Sequence, residues 1–393
     1  MEIVVLNWRD LASPQTGGAE VHLHEVFARL ASRGHRVLLI STKYPGLSKH
    51  ENIRGLDVLR VGTPVCSNVA IPWSARQICR QWRPDIVVDC LNKLPFFAPM
   101  FVPCPVVGIV HHLPGKSAFH EVLFPVAAGI CLCERLIPHV YADTPIIAIS
   151  RSTRDDLVLR GLTPTNISVI ELGVDHKLYR TGGPRIPSEP LIVHVGRLRR
   201  YKQIDHAIKM LHILRQHKKN ATLVVIGEGK DEPRLRRVAA CLQVDDAVVF
   251  KGKVSDSEKL RWIQRASVAV STSVMEGWGL SVIEANACGV PVVAYDVPGL
   301  RDSVTRRTGR LVPLGDIERL AAEVLQFLRD DELRRRCSQQ ALVWSRRFTW
   351  ERCADETLDV LRRSALMSSR RSLRGVARRG PPRCSEVGHR GGK

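Results

Sequence analysis

Glu276 and Glu284 stand eight positions apart in the segment STSVMEGWGLSVIEANACGVPVVAYDVPGLRDSV, with Gly277, Trp278 and Gly279 directly after the first. The glycine-rich turn exposes backbone, a helix begins near Leu280, and Glu284 lies one turn in. Free amides at a helix start hold phosphate or a sugar hydroxyl, and two carboxylates so placed can grip hydroxyls on either side of it. The segment reads as a clamp for a phosphorylated, hydroxyl-rich molecule. Upstream, VGRLRRYKQIDHAI puts Arg197 and Lys202 just past an apolar run and just before a helix. A forked guanidinium and a compact ammonium there can clamp a diphosphate; with Arg199 and Arg200 alongside, they can equally belong to a solvated basic loop.

Two further signals lie in the first half. Gly17 and Gly18, followed by Ala19 and Glu20, close the first apolar run and open the first helix. Such glycines let backbone approach an anion, or simply make a tight turn; the spacing departs from G-x-G-x-x-G, so no dinucleotide fingerprint is present. His111 and His112 follow the run VVGIV. Carboxyl ends of strands in open α/β sheets face the ligand crevice, so one of the two rings can enter it, but adjacent residues cannot both point the same way.

The elements that must position these residues alternate along the chain. EIVVLN, HRVLLIS, DIVVDC, VPCPVVGIV and PIIAIS are short apolar runs spaced by helical patterns, the first helix covering about Gly18 to Arg33. The alternation pauses at LYRTGGPRIPSEP and restarts with PLIVHVG, ATLVVIG, AVVFKG, ASVAVST and VPVVAYD, with a helix from about Gln203 to His217. Strands alternating with helices indicate βαβ units and parallel sheets. The expected organisation is an α/β chain of two Rossmann-like domains, 1–177 and 191–345, with a linker at 178–190 and a ligand cleft between the domains. Helices are expected from about Ile317 to Val343 and from Trp350 to Arg363, the latter closing the fold over 346–363.

Composition limits the function classes. The 393 residues are 44% hydrophobic and 25% charged, ordinary for a folded chain. Lys and Arg number 59 against 39 Asp and Glu, a net +20 that favours anionic partners. Residues 364–393 carry eight basic side chains and one acidic and are expected to form a disordered tail. Arg370, Arg371, Arg374, Arg378 and Arg379 suit an anionic membrane surface; with no aromatic residue between them there is no base-stacking platform, and nucleic acid is not an expected partner. Eleven cysteines without any C-x-x-C read as reduced thiols of a cytoplasmic protein, and MEIVVLNWRD carries no secretory pattern. The uncharged run from Leu94 to Val110 is too short to span a bilayer and contains four prolines, so it reads as a loop feeding a buried strand. Phe119 to Tyr141 is apolar enough for a membrane-docking helix, broken at Pro125 and Pro138, or for a buried packing helix.

Taken in order, GGAE at 17–20, the strand-end His111, AISRSTRDDL at 148–157, GVD at 173–175, VGRLRRYKQID at 195–205, IGEGKDEPRL at 226–235 and EGWGLSVIEANACGVPVV at 276–293 resemble glycosyltransferase family 4. The resemblance runs from Asn7 to about Asp316. It implies the GT-B fold, with two Rossmann-like domains whose parallel sheets face across a cleft, and transfer of a sugar from a nucleotide-diphosphate sugar with retention of configuration. It further implies no metal and no cofactor; no D-x-D-like pair lies near the expected crevice. In such enzymes Gly17 and Gly18 would face donor phosphates and acceptor, while Arg197 and Lys202 would neutralise the leaving diphosphate. Glu276 would lie near the transferred sugar and Glu284 on the ribose. The amides of Gly279 and Leu280 would touch phosphate or sugar hydroxyls, and Lys253 and Val254 would lie along the base. His111, by alignment with the family's single histidine, would contact the sugar in preference to His112. The acceptor is unspecified, with lipid-linked or cell-envelope molecules common in the family. The same fold also serves sugar-nucleotide epimerases and could serve a non-catalytic binding protein.

Overall fold

The computed structural model describes residues 1–378 apart from Gln15, Lys93, 116–122, 183–189 and 218–219, with side chains as far as Met367. The first sheet contains β1 (Glu2–Leu6), β2 (Arg36–Thr42), β3 (His50–Ile53), β4 (Leu56–Val61), β5 (Ile86–Cys90), β6 (Val106–Val110), β7 (Ile146–Ala148) and β8 (Ile167–Val169). Its spatial order is β3-β4-β2-β1-β5-β6-β7-β8, parallel throughout except for the β3–β4 hairpin. That hairpin turns at Arg54 and Gly55, both with positive φ. It is not among the runs read from the sequence, because HENI is mostly exposed and polar.

The other strands are rich in Val, Ile and Leu because helices cover both faces of a parallel sheet. Ile3 and Val5 point toward α1 (Gly18–Ser32), where Leu23, Val26, Phe27 and Leu30 recur at helical spacing and are buried. Val4 and Leu6 point to the opposite face and meet Ile71, Ala75 and Cys79 of α2 (Ser67–Trp82). Full burial of each such aliphatic or aromatic side chain contributes about 1.5–3 kcal/mol. Two more helices, α3 (Phe124–Val140) and α4 (Arg151–Leu159), complete this half. Every described cysteine is a free thiol.

The second sheet is wholly parallel, in the order β11-β10-β9-β12-β13-β14. Its strands are β9 (Leu191–Val195), β10 (Thr222–Ile226), β11 (Val248–Gly252), β12 (Val268–Ser271), β13 (Val292–Tyr295) and β14 (Gly309–Val312). Around them lie α5 (Ile204–Gln216), α6 (Glu232–Cys241), α7 (Asp256–Arg265), α8 (Leu280–Ala287), α9 (Leu300–Ser303), α10 (Ile317–Arg329), α11 (Asp331–Ser345) and α12 (Trp350–Arg378).

Several sequence expectations are corrected. The single helix expected from Ile317 to Val343 is two: Asp330 interrupts it and caps α11, its Oδ1 accepting from the Leu333 amide at 2.8 Å. The closing helix does not stop at Arg363, and 364–378, expected to be part of a disordered tail, are its continuation; 379–393 lie outside the described residues. Lys and Arg side chains do not oppose a helix, so basic composition is a poor guide to its end. The helix α3 is continuous, with Pro125 in its first turn, where no amide is needed, and Pro138 in its last turn. The linker is anchored at its start, since Tyr179 is buried and the Arg180 carbonyl accepts from Gln264 Nε2 at 2.7 Å.

The last helix returns to the first half of the chain. His22 stacks on Trp350 with centroids 6.2 Å apart, Arg29 Nε pairs with Glu351 at 3.1 Å, and Arg33 pairs with Asp355. One apolar core thereby runs from Leu23 and Phe27 through Trp278 and Phe348 to Leu361.

Candidate active site

The carboxyl ends of β9 and β12 lie side by side in the second sheet, and the loops that leave them carry the charged residues. Lys202 Nζ forms an ion pair with Glu276 Oε1, and Ser273 Oγ donates to the same oxygen at 2.7 Å. Burial alone would raise the Glu276 pKa; the Lys202 charge and the two hydrogen bonds outweigh it and hold the carboxyl below its ordinary value. Burial would likewise lower the Lys202 pKa, but Glu276 raises it above the ordinary lysine value. Both groups are ionised at neutral pH. The loop is pinned from behind, since the Glu276 amide donates to the Pro298 carbonyl at 3.2 Å and the Thr272 hydroxyl to the Lys202 carbonyl at 2.8 Å.

Beyond Glu276 the chain must enter α8 abruptly. Gly279, at the N-cap, has φ +88° and ψ 57°, left-handed backbone that favours glycine, and α8 starts at Leu280. Gly277 is required for a different reason: a Cβ there would sit 2.5 Å from the His111 carbonyl oxygen and 2.8 Å from Ile149 Cδ1. The two halves therefore touch at this point. Trp278 is buried against Phe348, ring centroids 5.0 Å apart, so its indole belongs to the core and only its backbone can serve a ligand.

The first half supplies the facing wall. Gly17 has extended backbone, and a Cβ on it would lie 3.5 Å from the Arg197 guanidinium carbon and 3.6 Å from Glu20 Oε2. Its amide donates to Glu20 Oε2 at 2.7 Å. Burial raises the Glu20 pKa, with the Gly17 amide, Arg9 and Arg197 working against it. Gly18, by contrast, faces open space. Arg197 also donates to the Tyr201 hydroxyl at 3.2 Å. Arg197, Lys202 and Glu276 are thus brought together with Gly17 across the cleft.

The two adjacent histidines have different surroundings. His111 is buried and both ring nitrogens are engaged: Nε2 lies 2.9 Å from His22 Nδ1, and Nδ1 lies 2.9 Å from Asn92 Oδ1. Asn92 in turn donates to Asn7 Oδ1 at 3.1 Å, and the Cys353 thiol lies 3.6 Å from His22 Nε2. Burial lowers both imidazoles, His22 to about 3 and His111 well below its ordinary value, so the chain of hydrogen bonds is made of neutral rings. His112 is the exposed member of the pair. Its ring opens to the cleft but is crowded by the surrounding walls, which lower its pKa; Lys202 and Arg197 push in the same direction and Glu276 opposes them.

Glu284, on α8, is buried and accepts from Lys259 Nζ at 3.1 Å. Lys259 lies over the Tyr179 ring at 5.1 Å, and Glu284 raises the Tyr179 hydroxyl pKa through its charge and a hydrogen bond, after burial. Lys253 and Val254 follow the end of β11, Lys253 exposed and Val254 packed on the core. Lys259, Ser273, Glu20 and His22 are site residues that sequence reasoning misses. Glu20 carries a signal, three residues past Gly17 as capping boxes require; Lys259 and Tyr179, eighty positions apart in sequence, carry none.

Residues 16–178 match the family described as Glycosyltransferase Family 4, and residues 179–344 match that described as Glycosyl transferases group 1. The chain is 32% identical over 296 residues to D-inositol 3-phosphate glycosyltransferase of Streptomyces bingchenggensis, covering 69% of this chain and 64% of that one. The chain belongs to glycosyltransferase family 4. Another family relative, glycogen synthase of Mycobacterium tuberculosis, is 27% identical over 394 residues, 92% of this chain and 94% of its own. Among solved structures, Anabaena Alr3699/HepE in complex with UDP-glucose superposes with a TM-score of 0.76 at 19% identity, covering 92% of this chain and 99% of that one. The GT-B fold is shared, and the family makes this chain a hexosyltransferase.

Proposed function

We propose that this glycosyltransferase moves a hexosyl group from a nucleotide-diphosphate sugar to a hydroxyl acceptor, with retention of configuration and without a metal or other cofactor. The observation that carries the reading is the convergence of Arg197, Lys202 and Glu276 on the start of α8, opposite Gly17. Arg197 and Lys202 stabilise charge developing on the leaving diphosphate, the largest single contribution in most transfer reactions. Glu276 orients the sugar, and the start of α8 offers amides to phosphate or sugar oxygens. Glu284, held by Lys259, grips the ribose, and Lys253 and Val254 border the base. Retention rests on the family likeness. The UDP-glucose held by the Anabaena structure makes a uridine or other nucleoside diphosphate the donor class to try first.

On the acceptor side, the outer face of α3 supports contact with an anionic membrane at its cytoplasmic face. Ala127, Ile130 and Ile137 are buried, while Leu123, Phe124, Val126, Leu132 and Leu136 are exposed alongside Arg135. No helix of the described residues is long and apolar enough to cross a bilayer, so such contact would be peripheral.

The test is to incubate the purified protein with UDP-, GDP- and ADP-sugars in EDTA, alongside Arg197→Ala and Glu276→Ala. Release of one nucleotide, lost in both variants, supports the reading and names the donor. Absence of binding by every nucleotide sugar sinks it. Flotation with phosphatidylglycerol vesicles, lost in Leu132→Asp/Leu136→Asp, tests the membrane contact; no flotation of the unaltered chain removes it.

A further inference from the structure

At the amino-terminal end of β14, the end of the second sheet away from the cleft, four arginines surround a concavity of about 300 Å³. Arg306 and Arg307 come from the loop that leads into β14, Arg310 from β14 itself, and Arg336 from α11. Leu333 and Cys337, both buried, form the floor, and Gln340 completes the lining. A volume of this size holds a small molecule.

The loop is held in shape. The Thr308 and Gly309 amides donate to the Thr305 carbonyl at 2.9 and 3.0 Å, and the Thr305 amide donates to Thr308 Oγ1 at 3.1 Å. Arg310 is fixed too: its Nη1 donates to the carbonyls of Arg306 and Gly309 at 2.9 and 2.8 Å, its guanidinium lies over the Phe327 ring at 5.7 Å, and Nε sits 3.6 Å from Glu323. Glu323 is shared with Arg319. Among the described residues, no carboxylate pairs with Arg306, Arg307 or Arg336. Elsewhere on this surface the arginines of α11 and α10 do find acids, as Arg334 finds Asp331 and Arg319 finds Glu323.

Like charges gathered around a concave surface repel one another, and no carboxylate among the described residues compensates three of these four. We propose that this concavity is a binding site for a soluble small molecule bearing two or more phosphate groups. Guanidinium forks match phosphate oxygens bidentately, and the Gln340 amide adds a neutral partner for a hydroxyl or ester oxygen. The floor offers only Leu333 and Cys337 as apolar surface, too little for an acyl chain. The site is separate from the cleft, where Arg197 and Lys202 form another cationic cluster.

The test is calorimetric titration of the full chain with inorganic tripolyphosphate at about 150 mM KCl, physiological ionic strength, in EDTA. The unaltered protein is expected to show two sites. Arg307→Glu/Arg336→Glu should lose one of them, with binding there weakened at least tenfold, and keep the other; Lys202→Ala should do the reverse. The charge-neutral Arg307→Gln/Arg336→Gln pair, checked by thermal melting, guards against a folding artefact by showing a smaller loss at the same site. A parallel arm uses vesicles of phosphatidylcholine with phosphatidylglycerol to separate soluble phosphate from lipid headgroups. The inference is overturned if the unaltered chain shows no second site, if both arginine pairs leave it unchanged, or if they abolish vesicle binding while tripolyphosphate binding persists.

Discussion

Lys202 and Glu276 hold each other as an ion pair at the point where a donor diphosphate would need the ammonium and its sugar would need the carboxylate. The pair keeps both side chains ionised and pointed into the cleft before any ligand arrives. In the proposed function, arrival of a diphosphate would offer Lys202 a second anion. It would free Glu276 Oε1, which Ser273 continues to orient, for a sugar hydroxyl.

Removing either cation should slow transfer far more than it weakens donor binding. For Arg197→Ala and Lys202→Ala the barrier is expected to rise by roughly 2–4 kcal/mol, about 30- to 1,000-fold in kcat, as for loss of one group stabilising developing charge. Steady-state kinetics with the donor that the nucleotide-release assay names checks this. An unchanged kcat with only a raised KM would place the residue in ground-state binding instead.

The two neighbouring histidines should separate cleanly. His112→Ala is expected to lower kcat while leaving thermal stability near that of the unaltered protein. His111→Ala leaves the His22 and Asn92 groups unpaired in a buried setting and should cost about 1–3 kcal/mol of stability. Melting curves and kcat on both variants decide it; a stable but inactive His111→Ala would assign the catalytic role to that ring, as the family resemblance implies.

Two glycines at the cleft should respond differently to a methyl group. Gly17→Ala meets only ordinary contacts near Arg197 and keeps an extended backbone, so the fold should be unchanged while KM for a donor that approaches this backbone rises. Gly277→Ala drives a carbon into the His111 carbonyl and must push the two halves apart. Small-angle scattering should show a larger radius of gyration for it, with kcat reduced at least about tenfold by misplacement of the reacting groups.

Asp89 sets a pH dependence of stability that is independent of catalysis. It is fully buried at the end of β5, where Oδ2 accepts from the Tyr141 hydroxyl at 2.6 Å and the Ala98 amide at 2.9 Å, while Oδ1 has no partner. Burial raises its pKa to about 6, and the hydrogen bonds only partly offset this. With the folded value above the unfolded one, its contribution is fully present below about pH 4 and is lost as pH rises through about 6. Asp89→Asn should therefore raise stability at about pH 8 by up to about 2–3 kcal/mol and change it little at about pH 4. Denaturant melts at the two pH values test the sign; equal effects at both would show that the carboxyl titrates alike in the folded and unfolded chain.

Periodicity carries most of the fold, because strands buried on both faces and helices buried on one leave patterns that neighbouring residues alone determine. Strict alternation is not needed for this: in β5 all five residues are buried, and the run still reads as a strand. The elements that local pattern hides depend on distant partners or on polar chains. The β3–β4 hairpin is charged, the break at Asp330 is a cap inside an otherwise helical pattern, and α12 continues through basic residues. At the site, Gly279 and Glu276 are legible because a turn chemistry and a helix start are local. The surroundings of His111 and Trp278 are not, because burial against His22 and Phe348 is settled by elements far away in sequence.

The return of α12 to α1 has a consequence for how the chain becomes a protein. The outer surface of the first sheet's helix layer, at His22, Arg29 and Arg33, is completed only by residues from Trp350 onward. During synthesis the first half must therefore leave the ribosome with that seam open, and wait for the whole second half before it can close. An interruption anywhere before Trp350 therefore leaves this face of the first half uncovered.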